Sequence, residues 1–321
     1  LLEARGHTFY TKTDTEVIIH AYEEYGSDCL KQFNGQFAFA IWDRNKRQLF
    51  IARDRMGIRP LFYHMQGGTL AFASEIKSLF TLPHIVRKID PIALDQIFTM
   101  WATLPPRTAF KDIWQLPPGC FGIYSQERGT LKVNSYWELP FNDGLGGSRS
   151  EADYCEELAH LLTESTRIRL RADVPVGAYL SGGLDSTVIT SLINKINPAR
   201  LSTYSIQFSD QNYDESSFQK KVIDHLKVDH HEIHCTHSDI AAAFPQLIWH
   251  SETPLLRTAP TPLMLLSRLV RDNDMKVVLT GEGADEMLAG YNIFRETSVR
   301  RFWSKNPESS FRPLLIQKLY P

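Results

Sequence analysis

Two short segments of this chain combine glycines, hydroxyls and carboxylates in a pattern that suits phosphate and a divalent cation. The first is Leu180-Ser181-Gly182-Gly183-Leu184-Asp185-Ser186. Adjacent glycines let the backbone approach a bulky anion, and the serines add donors. A helix starting directly afterwards aims its free N–H groups and positive dipole end into the loop. The lysine of a Walker loop is missing. Asp185 is the informative residue, because a carboxylate beside a phosphate is repulsive unless a divalent cation lies between them. Magnesium, which takes a few carboxylates together with phosphate oxygens, is the expected bridge. The plainer reading of the same residues is a glycine-rich turn with Asp185 as the helix N-cap.

The second segment is Thr280-Gly281-Glu282-Gly283-Ala284-Asp285-Glu286, after the apolar run Val277-Val278-Leu279. Three carboxylates in so short a loop repel one another unless a cation or hydrogen-bond donors hold them. Here the plainer reading is a solvated turn whose acids are favoured by a helix dipole. Two glycine-and-acid loops at neighbouring strand ends are harder to dismiss than one.

Loops of this kind need a rigid frame. The spacing predicts a helix over 150–171, a strand over 174–180, a helix from Thr187, a strand over 201–208 and a helix over 214–226. A strand over 230–234, helices near 238–250 and 260–272, and a strand over 275–280 follow. Strands alternating with helices imply a doubly wound parallel sheet, in which ligands sit at the carboxyl ends of the strands. The first part of the chain reads differently. A helix over 15–25, with a capping box in Thr13-Asp14-Thr15-Glu16 and a stop at Gly26, precedes the strand-like runs FAFAIWD, RQLFIARD, PLFYHM and TLAFASE. Residues 89–140 are mixed, with a helix over 91–99 and a strand near 121–124. The glycine-rich run 141–148 reads as a boundary, giving a domain over 1–140, a linker over 141–149 and a second domain over 150–321.

Composition excludes several classes. The 321 residues are 43% hydrophobic and 22% charged, with a net charge of -2. That gives no general pull toward nucleic acid or anionic lipid, and no apolar stretch approaches the roughly 20 residues of a membrane span. The expectation is therefore no nucleic-acid partner and no membrane. The four cysteines, Cys29, Cys120, Cys155 and Cys235, form no CxxC pair and no secreted framework, which points to a reducing cytoplasm. Both ends read as cut, since the chain begins at Leu1 and closes on RPLLIQKLYP without a terminating element.

The Ser-Gly-Gly-Leu-Asp-Ser loop resembles the pyrophosphatase loop of the N-type ATP pyrophosphatases. Its pairing with Gly281–Glu286 and with Leu288-Ala289-Gly290-Tyr291 is similar to the glutamine-dependent asparagine synthetases. Three further blocks, 13–18, 34–43 and 53–63, resemble the glutaminase half of that family. The resemblance implies an α+β, Ntn-hydrolase-like domain of antiparallel sheets with helices. A doubly wound α/β domain of the ATP pyrophosphatase type, adenine nucleotide α-hydrolase-like, would follow it.

It also implies ATP and magnesium as ligands, with Ser181, Gly182, Gly183, Leu184, Asp185 and Ser186 around the β- and γ-phosphates. Asp185 and Asp285 would hold the metal, and Leu180, Ile206, Thr280 and Gly281 would touch adenosine or the α-phosphate. Glu282 would lie near the reacting aspartate, and Asp14 would bind the α-amino group of glutamine. The implied reaction makes asparagine from aspartate, ATP and glutamine or ammonia through β-aspartyl-AMP. A homodimer is left open.

The family's amino-terminal cysteine and oxyanion block have no counterpart from Leu1 onward, so the chain as it stands is expected to release no glutamate from glutamine. The 251–260 block matches a variant form of the family's pattern, which leaves the aspartate pocket open. Two alternatives stand beside this reading: a related amidotransferase or β-lactam-synthetase-like enzyme with another carboxylate acceptor, and a non-catalytic homologue. His230, Glu232 and His234 alternate on one strand face and could suit zinc. A packed or solvated strand is the expectation there, with no transition metal.

Overall fold

The computed structural model describes residues 1–140, 149–197 and 201–319. The expected linker run 141–148 lies outside the described residues. The described residues form two compact units. The first comprises the chain up to residue 140 together with Pro245–Arg257, and the second comprises the remaining stretches.

Antiparallel strands dominate the first unit: β1 (Ala38–Asp43), β2 (Gln48–Arg53), β3 (Phe62–Gln66), β4 (Thr69–Ala73), β5 (Trp114–Gln115), β6 (Cys120–Ser125) and β7 (Thr130–Ser135). Among the described residues they make one sheet in the order β1-β2-β6-β7 and another in the order β4-β3-β5. Phe50 of β2, with Ala21, Cys29 and Leu30, centres a core that Phe39 and Phe121 complete. Burying such aromatic surface is the main drive for the layer.

The helix Asp14–Tyr25 starts as expected, with the Thr13 hydroxyl accepting from Glu16 N, but the capping box is only half made. The Glu16 carboxylate accepts instead from the N–H groups of Tyr10 and Thr11, both at 2.7 Å, so it ties down the incoming chain rather than the N-cap. The helix ends at Gly26, whose φ of 59° an L side chain rarely adopts.

The Arg53–Gly57 block is a hydrogen-bonded turn built on the buried side chains of Arg53 and Asp54. Asp54, 1% exposed, accepts from Phe37 N at 3.3 Å and from Ile58 N and Arg59 N at 3.0 Å. Arg53 donates to the carbonyls of Gly57, Arg59 and Leu116 at 2.6, 2.8 and 2.7 Å. In the same unit the Glu252 carboxylate accepts from the N–H groups of Ile76 and Lys77, both at 2.7 Å, at the start of the short helix Ile76–Leu79.

Parallel strands build the second unit: β8 (Val176–Tyr179), β9 (Ser202–Phe208), β10 (Asp229–Cys235) and β11 (Val277–Leu279), in the order β10-β9-β8-β11. The chain therefore steps outward from β8 through β9 to β10, then returns to the other side of β8. The strand order reverses between β8 and β11, and a crevice opens at the carboxyl ends of strands at such a point. The observed architecture is thus antiparallel α+β followed by doubly wound α/β.

Helices Glu151–Arg169, Leu184–Ile196, Ser216–Leu226 and Pro260–Asp272 accompany these strands, with the part of the helix His237–Ser251 that precedes Pro245. The first is capped by a reciprocal box between Ser150 and Asp153. His230, weighed above as a metal ligand, has both ring nitrogens engaged by β9 hydroxyls, Thr203 Oγ1 at 2.9 Å and Ser205 Oγ at 3.0 Å. No helix among the described residues is long and apolar enough to cross a membrane.

Candidate functional site

Two loops meet where the strand order reverses. Leu180, fully buried, continues β8 and donates its N–H to Tyr204 O of β9 at 2.9 Å, which fixes where the first loop leaves the sheet. Within the loop the hydroxyls of Ser181 and Ser186 lie 2.9 Å apart, and Ser181 Oγ accepts from Gly183 N at 3.2 Å. The following helix begins at Leu184, three residues before the expected Thr187. The reason is local: Gly183, in extended conformation, is the N-cap, and its carbonyl accepts from Thr187 N at 3.1 Å and Thr187 Oγ1 at 2.7 Å. Asp185 therefore lies inside the first turn rather than at the N-cap, beside N–H groups that have no carbonyl above them.

The second loop leaves β11. Glu282 N donates to Thr280 Oγ1 at 3.2 Å, and Gly283, with φ of 94°, is the N-cap of the short helix Ala284–Leu288. Asp285 again sits second in its helix. A methyl group on Gly290 would collide with Asp285 Oδ1, so that glycine is what lets the chain close over the carboxylate. Tyr291 donates to Glu286 Oε1 at 3.2 Å. Partial desolvation, then the neighbouring Glu286, Asp285 and Glu282 carboxylates, push its phenol upward from the usual value.

Leu180, Ser181, Gly183, Asp185, Ser186, Ile206, Thr280, Gly281, Glu282 and Asp285 line one cavity of about 280 Å³. Gly182 and Leu184 belong to the loop without lining that cavity. Gly182 (φ 86°) packs on the helix Ser216–Leu226, where a Cβ would come within 2.8 Å of Gln219 N, and the Leu184 side chain is 79% exposed. Asp14 lies in the first unit, exposed in the first helical turn, with Thr15 Oγ1 at 3.5 Å from its carboxylate.

Charge decides what the cavity can hold. Its walls carry the carboxylates of Asp185, Glu215, Glu282, Asp285 and Glu286, with no lysine, arginine or histidine among the described lining residues. A bare polyanion would be repelled. Carboxylates are the hard oxygen donors that magnesium takes, and a divalent ion between Asp185, Asp285 and a phosphate would reverse the sign of the interaction. The donor chemistry therefore fits the metal.

Sequence reasoning missed Glu215 and Gln219 in this wall. Gln219 is 4% exposed. Its Nε2 donates to Ile206 O at 3.2 Å, while its Oε1 has no hydrogen-bond partner among the described residues. A buried amide oxygen left so costs about 1–3 kcal/mol. The signal was available: Gln219 shares a helical face with Val222, Ile223 and Leu226, and a polar residue there is out of pattern.

Comparison with known proteins agrees with these features. A family model described as asparagine synthase matches residues 157–319, and one described as a glutamine amidotransferase domain matches residues 1–137. Asparagine synthetase [glutamine-hydrolyzing] 1 of Bacillus subtilis is 32% identical over 98% of this chain and 49% of its own length. Asparagine synthetase [glutamine-hydrolyzing] 3 of the same organism is 32% identical over 98% of this chain and 53% of its own length. An enzyme named amidase chyE, from Penicillium rubens, is 34% identical over 89% of this chain and 44% of its own length. The chain spans about half the length of the curated relatives it matches. With a synthase match over half its residues and an amidotransferase match over most of the rest, the chain belongs to the asparagine synthase family.

Proposed function

We propose that this protein takes part in ATP-dependent amide formation, making asparagine from aspartate with ammonia or glutamine as nitrogen donor. The observation that supports this most directly is the pair of acidic glycine loops, with Asp185 and Asp285 on one cavity whose walls hold no basic residue among those described. Magnesium, when bound, would neutralise the triphosphate and pyrophosphate charges there. Ser181, Gly183 and Ser186, with the first-turn N–H groups, would orient the β- and γ-phosphates. Leu180, Ile206, Thr280 and Gly281 would hold the nucleoside and α-phosphate.

In this reading an oxygen of the aspartate side-chain carboxylate attacks the α-phosphorus. The bond from that phosphorus to the bridging oxygen of pyrophosphate breaks, giving β-aspartyl-AMP. Ammonia then adds to the acyl carbon, AMP leaves, and a proton is lost from nitrogen. Glu282 is placed in the reading as the group that positions aspartate or receives that proton. The chain's own contribution is alignment and charge neutralisation. In the first unit Asp14 would bind the α-amino group of glutamine. With soluble small-molecule substrates, a cytoplasmic location suits the reaction.

Magnesium-dependent exchange of labelled pyrophosphate into ATP, dependent on added aspartate, tests the proposal. Exchange that ignores aspartate but responds to another carboxylate would move the chain to a second acceptor class, for which the match to amidase chyE speaks. No exchange with any carboxylate, from protein that binds no nucleotide, would overturn the reading.

A further inference from the structure

We propose that His7, His20 and Glu23 form a zinc site that fastens the segment before the helix Asp14–Tyr25 to that helix. The site lies wholly in the first unit and is independent of the nucleotide reading.

Two separate pieces of chain bring the ligands together. His20 and Glu23, three residues apart, share a face of the helix Asp14–Tyr25. His7 arrives from the turn Glu3–Arg5, its N–H donating to Leu2 O at 3.2 Å. The Nδ1 atoms of the two imidazoles lie 3.1 Å apart. Glu23 Oε2 is 3.3 Å from His20 Nδ1 and 4.0 Å from His7 Nδ1. Zinc with tetrahedral angles and bonds of about 2.0–2.1 Å holds its ligand atoms about 3.3 Å apart. Two edges of the triangle fit that spacing, and the long third edge ends on Glu23, a side chain exposed enough to turn.

The other ring nitrogens decide what can fill the gap. His7 Nε2 lies 3.3 Å from Glu24 Oε2, and His20 Nε2 lies 3.8 Å from Glu16 Oε1. Both carboxyls are held below the usual range, Glu24 chiefly by the Arg5 guanidinium and Glu16 chiefly by the Thr11 hydroxyl. They are ionised acceptors, so each favours a proton on the Nε2 that faces it. Neutral imidazoles in that tautomer turn both Nδ1 lone pairs, with the Glu23 carboxylate, toward one point. Three acceptors converge there with no donor among them. An N–H···N bond between the rings would relieve this only by turning a lone pair toward Glu24 or Glu16.

A divalent cation satisfies all three at once, and carboxylates behind zinc-bound imidazoles fix the rings in this way. Charge agrees: Glu16, Glu23 and Glu24 meet one guanidinium, Arg5, around the two imidazoles. Two nitrogens and one oxygen suit zinc better than magnesium. The side chains of His7 and His20 are 15% and 18% exposed and that of Glu23 is 59% exposed, so a fourth position opens to water. Phe9 meets the His20 ring edge-to-face at 4.7 Å between centroids, which limits how that ring can turn.

The test titrates zinc into the EDTA-treated 321-residue chain against a chromophoric chelator, with cobalt(II) spectra to identify the donors. Wild type should take up one ion per chain, with a tetrahedral cobalt spectrum that lacks a thiolate band. Glu23→Gln, at an exposed position that the fold should tolerate, should weaken binding about a hundredfold. Glu24→Gln leaves all three ligands in place and should cost about tenfold to a hundredfold, through loss of the partner behind His7. His234→Gln, on the strand weighed above for zinc, should change nothing. Zinc should also slow amide hydrogen exchange between residues 7 and 13 in wild type but not in Glu23→Gln. A chain that binds no zinc, leaving the gap to a shared proton, overturns the proposal. So does binding that survives Glu23→Gln or that His234→Gln removes, since the ion would then sit elsewhere. Zinc bound without slower exchange overturns the fastening role.

Discussion

Gly281 and Asp185 are packed so closely that a Cβ on Gly281 would lie 2.9 Å from Asp185 Cβ and 2.8 Å from Ser186 N. The two loops, one from β8 and one from β11, therefore touch through a backbone with no side chain between them. Gly281→Ala should force them apart, because the obstacle is main chain rather than the flexible end of a side chain. The expected stability loss is about 1–3 kcal/mol, accompanied by a larger loss of magnesium–ATP affinity as Asp185 and Asp285 separate. Urea unfolding together with nucleotide titration checks this. Unchanged affinity at unchanged stability would show that the loops have room the structure does not display.

Asp54 supports a different prediction, in the first unit. Its buried carboxylate collects the N–H groups of Phe37, Ile58 and Arg59. Asp54→Ala strands three donors and should cost about 2–4 kcal/mol. Asp54→Asn, which keeps an acceptor, should lose less. Thermal melts of both variants, compared with wild type, give the ranking.

The parallel sheet was legible because β8 and β11 are short apolar runs, strand-like segments alternate with helix patterns, and the loop glycines mark the ends of β8 and β11. Pro260–Asp272 matches its expected bounds. What was hard to read had physical reasons. β7 leaves Thr130, Lys132, Val133 and Ser135 exposed with only Leu131 and Asn134 half-buried, a pattern that a polar loop shares. β5 is two residues long and exists through pairing with β3, which no local signal encodes. The early start of the helix at Leu184 depends on the conformation of Gly183, since glycine carries no capping side chain to announce it. The acids and glycines of the site were visible from spacing alone. Gln219 could be read only as a polar residue out of pattern on an apolar helical face, while its bond to the carbonyl of Ile206 on a separate strand could not.

His230 gives a pH prediction. Burial lowers its pKa below the ordinary value, against the opposing pull of the Glu232 and Asp229 carboxylates. The unfolded chain therefore binds a proton near the unperturbed value of about 6.5, while the folded chain does not. The sign follows: the contribution of neutral His230 is present above about pH 6.5 and is lost as pH falls from there through the lower folded value. His230→Gln, which can still bond a hydroxyl but does not titrate there, should be less stable at pH 7.5. It should also lose less than wild type between pH 7.5 and 5.5. Parallel slopes for the two proteins in urea titrations would remove His230 from the account.

Thiol reactivity should be uneven. Cys29 is buried and its pKa is pushed up to about 11 by burial, and Cys120 and Cys235 are raised for the same reason. Cys155 is exposed on the helix Glu151–Arg169. A disulfide reagent at pH 7.5 should therefore modify Cys155 first, because the thiolate is the attacking species. Cys155→Ser should abolish the fast phase. A fast phase that survives in this variant would mean that one of the other three is reachable as thiolate.

The last prediction concerns Asp185 and Asp285, for which two accounts predict different losses. Each carboxylate sits second in its helix behind a glycine N-cap, Gly183 or Gly283. Neither is an N-cap, so the capping account loses its geometry and only a dipole contribution of about 0.3–1 kcal/mol remains on the structural side. Asn at either position keeps the volume and removes the charge. If the dipole were the whole role, Asp185→Asn and Asp285→Asn would each lose at most that amount of stability and would leave nucleotide chemistry intact. If both hold magnesium against the triphosphate, the fold should survive with similar or slightly better stability, because repulsion among the acids of the cavity is relieved. Magnesium-dependent ATP–pyrophosphate exchange should then fall about a thousandfold, the equivalent of roughly 4 kcal/mol of transition-state stabilisation. The affinity for ATP should also lose its dependence on magnesium concentration, a readout that a dipole effect would not move. Near-normal exchange in both variants, with magnesium dependence retained, would end the metal-holding account of these two loops.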